Sequence, residues 1–387
     1  MNNGASGDMR IALVHDYLVE RGGAEKVLAA LHGTFPQAPI YTAVYDRDAT
    51  LPAFQDADVR SSFLQRLGAD SRRYRALLPL YPLAFRSFDL SGFDVVISSA
   101  SGFAKGVRPA AGARHVCYCY TPPRFLWAYQ DANGHERFPP PARFAVRALA
   151  PYLTRADCAG ARRVDRFVAI SRCVAARIRS VYEREATVLP PPIDCDGFAP
   201  GGTAGDFFLV LSRLVPYKRI DVAIEAFNRN GLPLLVVGDG RDRARLESLA
   251  RGECIRFLGY VSQPDVRELL ATCRALIVPA EEDFGMAALE ANASGRPVIA
   301  YAGGGALDSV RPGVTGVLFA EQTAESLLGA LDEFARMSFD PEALVRHARC
   351  FDTSEFQRAM RAIVAEETGA LALDRAGELA FARQVGR

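Results

Sequence analysis

Two carboxylates eight residues apart, Glu282 and Glu290, bracket the stretch Glu-Asp-Phe-Gly-Met-Ala-Ala-Leu-Glu. An apolar run, Ala275-Leu276-Ile277-Val278-Pro279, precedes it and reads as a strand, and Met286 to Ala293 reads as a helix. A glycine at such a strand-to-helix turn, here Gly285, lets backbone N–H groups come close to a ligand. The helix N-terminus behind it favours negative charge. Carboxylates beside the turn repel a phosphate but accept hydrogen bonds from hydroxyls. An anion cradle with hydroxyl acceptors describes a site for a phosphorylated sugar or a nucleotide.

Other residues of the second half fit the same chemistry. Ser212-Arg213-Leu214-Val215-Pro216-Tyr217-Lys218-Arg219 follows a strand-like run, so Arg213 and Lys218 stand where two cations can neutralise a diphosphate and stabilise it as a leaving group. Val236-Val237-Gly238-Asp239-Gly240 runs a strand into a tight turn, but residue 243 is Arg, which breaks the dinucleotide fingerprint. Gly303-Gly304-Gly305 suggests a loop that contacts a ligand or flexes, and it lacks the Gly-Lys-Ser/Thr of a nucleotide-hydrolysing P-loop. In the first half, Gly22-Gly23 lies between the first strand and first helix, where it either admits a phosphate or sugar to the backbone or makes a plain turn. His15 ends the first strand and reads either as a cleft residue or as a buried, hydrogen-bonded imidazole. His115 begins a strand and reads as structural. No Ser/His/Asp series appears, and the two glutamates lie too near the phosphate signals for a simple hydrolytic acid/base pair.

The elements that must position these residues alternate. Ile11–Val14, Asp94–Ser99, His115–Tyr120 and Arg166–Ile170 read as strands, Ala24–Leu31 as a helix, and Ser171 as the cap of a helix over Arg172–Tyr182. Proline and glycine then crowd Leu189–Asp194 and Pro200–Gly205, the signature of a linker. The alternation restarts with strands at Phe207–Leu211, Pro233–Val237, Ile255–Leu258, Ala275–Val278 and Pro297–Ala300, and helices at Ile220–Asn228 and Asp242–Ala250. Apolar strands joined by helices imply two parallel α/β halves. Ligands of such sheets bind at the carboxyl ends of the strands, which puts the site in the cleft between the halves.

A length of 387 residues suits two domains, and 49% apolar with 24% charged residues is ordinary for a water-soluble chain. The N-terminus, Met1 to Met9, lacks the pattern of a signal peptide and no run is long enough to span a membrane, so a cytoplasmic protein is expected. Eight scattered cysteines form no CxxC pair, and even Cys117 and Cys119, on one face of a strand, read as reduced buried thiols with no metal. The net charge of +1 conceals 43 arginines against three lysines, Lys26, Lys105 and Lys218. Residues 60–88 carry six arginines and one acid, interleaved with Leu, Phe and Tyr. That pattern suits contact with an anionic membrane, and equally suits helices packed on a domain. No nucleic-acid reading motif accompanies the charge.

Together, Arg213 and Lys218 in their loop, Gly238-Asp239-Gly240, Phe257-Leu258-Gly259-Tyr260-Val261, and Glu282-x7-Glu290 with Phe284-Gly285 resemble glycosyltransferase family 4, whose members are retaining enzymes of the GT-B fold using nucleotide sugars. His15-Asp16-Tyr17-Leu18, Gly22-Gly23-Ala24-Glu25 and Tyr120-Thr121-Pro122-Pro123-Arg124 look like the branch of mannosyltransferases of surface polysaccharide biosynthesis. The resemblance implies two Rossmann-like α/β domains facing across a cleft: an acceptor domain over 1–195, a nucleotide-sugar domain over 196–351, and a C-terminal helix over 352–387 crossing back to the first. It implies a catalytic set of Arg213 and Lys218 on the donor diphosphate and Glu282 on the sugar near its 3-hydroxyl. Glu290 accepts from ribose, the backbone at Phe284, Gly285, Met286 and Ala287 caps sugar and phosphate, and Gly22, Gly23, Gly238 and Val261 complete the donor site. His15, Asp16 and Tyr120 are expected at the acceptor or sugar. Tyr120 stands where relatives often carry histidine, so a cleft histidine is either missing or supplied by His15. The family needs no metal or cofactor. The implied reaction moves mannose from GDP-mannose to a lipid-linked glycan at the inner face of the cytoplasmic membrane. A UDP-sugar transferase, a nucleotide-sugar epimerase of the same fold and a non-catalytic sugar-binding protein are the rivals.

Overall fold

The structure, a computed structural model, describes residues 9–71, 73–127 and 140–369, without the side chains of 140–147. Most of the polar N-terminus, Arg72 of the basic 60–88 segment, and the 352–387 segment beyond 369 lie outside the described residues.

Two parallel sheets carry the chain. The first contains β1 (Ile11–His15), β2 (Ile40–Thr42), β3 (Val59–Ser61), β4 (Val95–Ala100), β5 (Arg114–Cys119), β6 (Arg166–Ala169) and β7 (Ala186–Val188), in the order β3-β2-β1-β4-β5-β6-β7. The second contains β8 (Phe208–Leu211), β9 (Leu234–Val237), β10 (Ile255–Gly259), β11 (Leu276–Val278), β12 (Val298–Tyr301) and β13 (Gly316–Phe319), in the order β10-β9-β8-β11-β12-β13. Every pairing is parallel. Central strands are buried along their length because helices cover both faces: all six residues of β4 are buried, Ser98 and Ser99 included. β2, β3 and β7, three residues each, are too short to show a pattern in the sequence, and the reading above did not find them.

The helices start where local chemistry predicts. Ser171 caps Arg172–Tyr182, its hydroxyl accepting from the Val174 N–H at 3.2 Å. Helix Met286–Ala293 has the predicted bounds and begins at Gly285, held at φ 88°, where a side chain is strained. The proline- and glycine-rich stretch after 190 is fastened down. Arg296 Nη2 donates to the Gly202 carbonyl at 2.6 Å, Gly205 N to Thr272 O at 2.7 Å, and a Cβ at Gly201 would fall 1.9 Å from Ala271 O.

The last described helix, Thr353–Glu367, returns to the first sheet as expected. Phe356, Met360, Ile363 and Val364 join the first core, with Phe356 edge-on to Tyr118 at 5.4 Å. The first domain also buries an ion pair: Lys105 Nζ lies 2.5 Å from Asp157 Oδ1, with exposures of 2% and 0%. Lys105 also donates to Gly102 O at 2.7 Å, and Asp157 Oδ2 accepts from Trp127 Nε1 at 2.9 Å and Tyr182 OH at 2.8 Å. Those bonds offset the cost of burying both charges.

His115 is structural, as read. Its Nε2 lies 2.9 Å from Ser98 Oγ, and burial lowers its pKa to about 4. An unfolded histidine takes its proton near pH 6.5. The folded chain refuses that proton until about pH 4, so the group's contribution is whole above pH 6.5 and is lost as pH falls towards 4. His347, lowered by burial, acts in the same direction. Lowering pH from 7 to 5 is therefore expected to cost on the order of 2 kcal/mol through His115. Urea titrations of wild type and His115→Asn at both pH values check this, the variant showing the smaller acid loss. An equal loss in both removes His115 as the cause.

Candidate active site

The strand order of the second sheet reverses between β8 and β11. Connections from these neighbours leave to opposite faces, opening a crevice at their carboxyl ends. A hollow there is lined by Ser212, Lys218, Val278, Glu282, Gly285 and Ala287 among others. Lys218 rises from the turn after β8 and Glu282 from the loop after β11. Lys218 Nζ lies 2.5 and 2.6 Å from the two Glu282 oxygens. The predicted cation and the predicted hydroxyl acceptor thus meet at one point.

Glycines hold the loop in place. The Glu282 and Gly304 backbones form a bridge, and Gly305 N donates to Glu282 O at 2.8 Å. A Cβ at Gly304 would stand 2.2 Å from Glu282 O, and one at Gly305 2.1 Å from Phe284 Cα. Gly304 and Gly305 are therefore required by contact with the Glu282–Phe284 backbone, and Gly303 by the Tyr301 ring, which a Cβ there would meet at 2.4 Å. Gly238 is similar: at φ 125°, its Cβ would fall 1.9 Å from Ser212 O, so the glycine lets the turn after β8 pass over the end of β9. Val261, half-buried, follows β10 and packs on the second domain's core. Phe284 is buried, 5.9 Å from the Phe351 ring.

Arg213 is exposed, with Nη2 donating to Tyr217 OH at 3.1 Å. The Tyr217 ring also faces Lys218 Nζ at 5.1 Å and, from the first domain, Arg124 Cζ at 5.2 Å. Tyr217 thus meets two cations, Lys218 and Arg124, with its ring and a third, Arg213, with its hydroxyl.

The first domain meets helix Met286–Ala293 with the start of helix Gly23–Thr34. A Cβ at Gly23 would lie 3.3 Å from Met286 Sδ, and Lys26 Nζ, one turn on, donates to Glu290 Oε1 at 2.7 Å. Gly22 is the helix cap, its N–H donating to Glu25 Oε2 at 3.0 Å. Glu25 Oε1 is 3.9 Å from His15 Nε2. His15 is 2% exposed and its Nδ1 sits 3.1 Å from Ser99 Oγ, which is 2.7 Å from Tyr120 OH. Tyr120 OH donates to Ala24 O at 2.9 Å. Burial pushes that phenol well above the ordinary tyrosine range, so it stays protonated. Asp16 accepts from the N–H groups of Ser101, Gly102 and Ala104 at 2.7, 2.7 and 2.8 Å. His15 Nδ1 and the Asp16 carboxylate are thus engaged inside the first domain, Asp16 fixing the loop after β4.

The structure brings Arg213, Lys218, Glu282 and Gly285 to the carboxyl end of the second sheet, and Gly23, Met286 and Glu290 to the seam between the domains. Sequence reasoning missed Lys26, Arg124, Arg177, Tyr217 and Asp283. Lys26 carried a signal, as one of three lysines and one turn past Gly22-Gly23. Arginines carried none in a chain so rich in them.

Residues 21–196 match Glycosyltransferase Family 4 and residues 202–350 match Glycosyl transferases group 1. A D-inositol 3-phosphate glycosyltransferase of Geodermatophilus obscurus is 33% identical over 254 residues, covering 57% of this chain and 55% of that protein. The chain spans about half the length of the curated relatives it matches. Sucrose-phosphate synthase from Thermosynechococcus elongatus superposes with a TM-score of 0.70 at 18% identity, covering 94% of this chain and all (100%) of that one. Anabaena HepE in complex with UDP-glucose superposes with a TM-score of 0.64 at 18% identity, covering 92% of this chain and 100% of that one. The chain has the GT-B fold, with a family 4-like glycosyltransferase domain followed by a domain like those of glycosyl transferases group 1.

Proposed function

We propose that this protein transfers mannose from GDP-mannose to a lipid-linked glycan, with retention at the anomeric carbon. The Lys218–Glu282 pair at the strand-order reversal, beside the Gly285-capped helix, carries the reading. The donor diphosphate competes with Glu282 for Lys218 and adds Arg213. Glu282, released, accepts from the sugar near its 3-hydroxyl. Glu290 turns from Lys26 to the ribose hydroxyls. The N–H groups of Met286 and Ala287 face the phosphate and the helix dipole adds to the cations. Gly22 and Gly23 border the reacting phosphate from the acceptor domain. The bond from the anomeric carbon to the phosphate oxygen breaks as the bond to the acceptor oxygen forms on the same face. The departing phosphate oxygen takes the acceptor's proton. Arg213, Lys218 and the helix N-terminus stabilise the charge of the leaving diphosphate without a metal.

The choice of GDP-mannose follows the resemblance of the first-half motifs to polysaccharide mannosyltransferases. A UDP-sugar is the second reading, favoured by the likeness to HepE in its complex with UDP-glucose. The acceptor reading rests on the first domain's surface. Phe63, Leu67 and Leu83 are exposed on the short helical segments Phe63–Leu67 and Tyr81–Arg86, with Arg66 and Arg73 exposed nearby in sequence. Such a surface suits anionic headgroups and brings the acceptor domain to a lipid-borne glycan on the inner face of the cytoplasmic membrane. No helix among the described residues is long and apolar enough to cross a membrane.

Glu290→Gln and Lys218→Ala are each expected to lower kcat/KM for transfer by about a hundredfold or more while the circular dichroism spectrum is kept. Wild-type rates in either folded variant would remove these residues from the site. GDP-mannose at 100 times its dissociation constant should stabilise the protein by about 2.7 kcal/mol in a thermal-shift assay. A shift with UDP-glucose and none with GDP-mannose transfers the assignment to the second reading. In vesicle sedimentation, wild type should bind phosphatidylglycerol-rich vesicles over phosphatidylcholine, and Leu67→Ser with Arg66→Glu should weaken that binding about tenfold. Equal binding by wild type and variant ends the membrane proposal.

A further inference from the structure

Asp283 has no part in the donor chemistry above, yet the first domain grips it from two sides. Arg177 Nη1 pairs with its Oδ1, and Arg124 Nη2 lies 2.6 Å from its Oδ2. Arg177 Nη2 is also 3.4 Å from Glu281 Oε1, and Cys173 Sγ donates to the Asp283 carbonyl oxygen at 3.5 Å. Side-chain exposures of 15% for Arg177 and 18% for Asp283 put this pair largely out of water, where an ion pair is screened little.

Both arginines are anchored in the acceptor domain. Arg177 lies on helix Arg172–Tyr182, which Ser171 caps and whose Arg172 pairs with Asp308 of the second domain. Arg124 lies on the segment after β5, whose Tyr120 N donates to Ala100 O at 2.9 Å and whose Trp127 bonds to the buried Asp157. The Arg124 guanidinium also covers the Tyr217 ring, to which Arg213 donates. On the donor side, Asp283 is the immediate neighbour of Glu282 and two residues from Gly285. A displacement of its carboxylate therefore moves the Glu282 side chain and the start of the helix.

We propose that Arg124, Arg177 and Asp283 form a clasp that sets the donor loop 281–285 against the acceptor-side segment 121–127. Arg124 and Arg177 are positioning residues for transfer, acting through Asp283 on Glu282. The clasp's role in transfer, though not the contact itself, rests on the reading of Glu282 as the sugar's ligand. Transfer needs the acceptor oxygen close to and aligned with the anomeric carbon, and a misplacement of about 1 Å costs about a hundredfold in rate. Water is small and mobile, and cleaves the donor without that alignment.

The test compares wild type with Asp283→Asn, Arg124→Met, Arg124→Lys and the Arg124→Met/Asp283→Asn double variant. Each single loss should lower kcat for transfer about tenfold, leave donor affinity by calorimetry within about threefold, and raise the ratio of donor hydrolysis to transfer. The double variant should lose less than the sum of the single losses, because both singles remove the Arg124–Asp283 contact. Arg124→Lys should recover part of the rate. An unchanged hydrolysis-to-transfer ratio, or losses that add, would overturn the clasp. Hydrogen exchange, read without donor, decides the clasp independently: amides of 121–127 should exchange faster in Asp283→Asn than in wild type, and equal exchange overturns it. Wild-type protein that binds neither GDP-mannose nor UDP-glucose, with faster exchange still seen in the variant, overturns the donor reading and leaves the clasp standing.

Discussion

Parallel strands with connections leaving to opposite faces create a gap that the sheet cannot fill. In the second domain that gap lies between β8 and β11, and the rest of the site follows from it. The turn after β8 delivers Lys218 and the loop after β11 delivers Glu282. Their meeting requires both loops to press against neighbouring backbone, which is why Gly238, Gly304 and Gly305 tolerate no side chain. The chemistry of the crevice is thus set by topology first and by side chains second.

Charge in the cleft is matched residue by residue. Glu281 meets Arg177, Glu282 meets Lys218, Asp283 meets Arg124 and Arg177, and Glu290 meets Lys26. In a chain of 43 arginines, two of the three lysines face the donor loop and helix, and the third is buried with Asp157. A lysine ammonium is compact and can change partners, whereas an arginine fork is suited to a fixed carboxylate. The division fits the proposal: lysines stand on the carboxylates assigned to the donor, Glu282 and Glu290, and arginines on Glu281 and Asp283.

Much of this was legible in the sequence, because β8, β11 and helix Met286–Ala293 are local features. The long buried strands, the Ser171 cap and the Gly285 turn each announce themselves within a few residues. Contacts across the seam do not. Glu290 reads as a hydroxyl acceptor from its place on the helix, but its pairing with Lys26 joins residues 264 positions apart. The resemblance implies Gly238 at the donor, and Gly304 reads as part of a loop that contacts a ligand or flexes, because a glycine shows only that something comes close. Whether that is a phosphate or another backbone is decided by the fold. His15 reads from the end of a strand either as a cleft residue or as a buried imidazole, and the resemblance implies Asp16 at the acceptor or sugar; Ser99 and the loop after β4, which engage them, come more than eighty residues later.

The last described helix has a consequence for how the chain is assembled. Phe356, Met360, Ile363 and Val364 complete the core of the first domain, although the whole second sheet lies between them and β7 in sequence. The second domain is therefore an insertion within the first. On a ribosome the second sheet is finished while the first domain still lacks one wall, so the domain begun first closes last. The first domain's apolar flank beside Tyr118 stays exposed until residues near 364 have left the tunnel, which makes the final helix a seal on the order of folding as well as a part of the core.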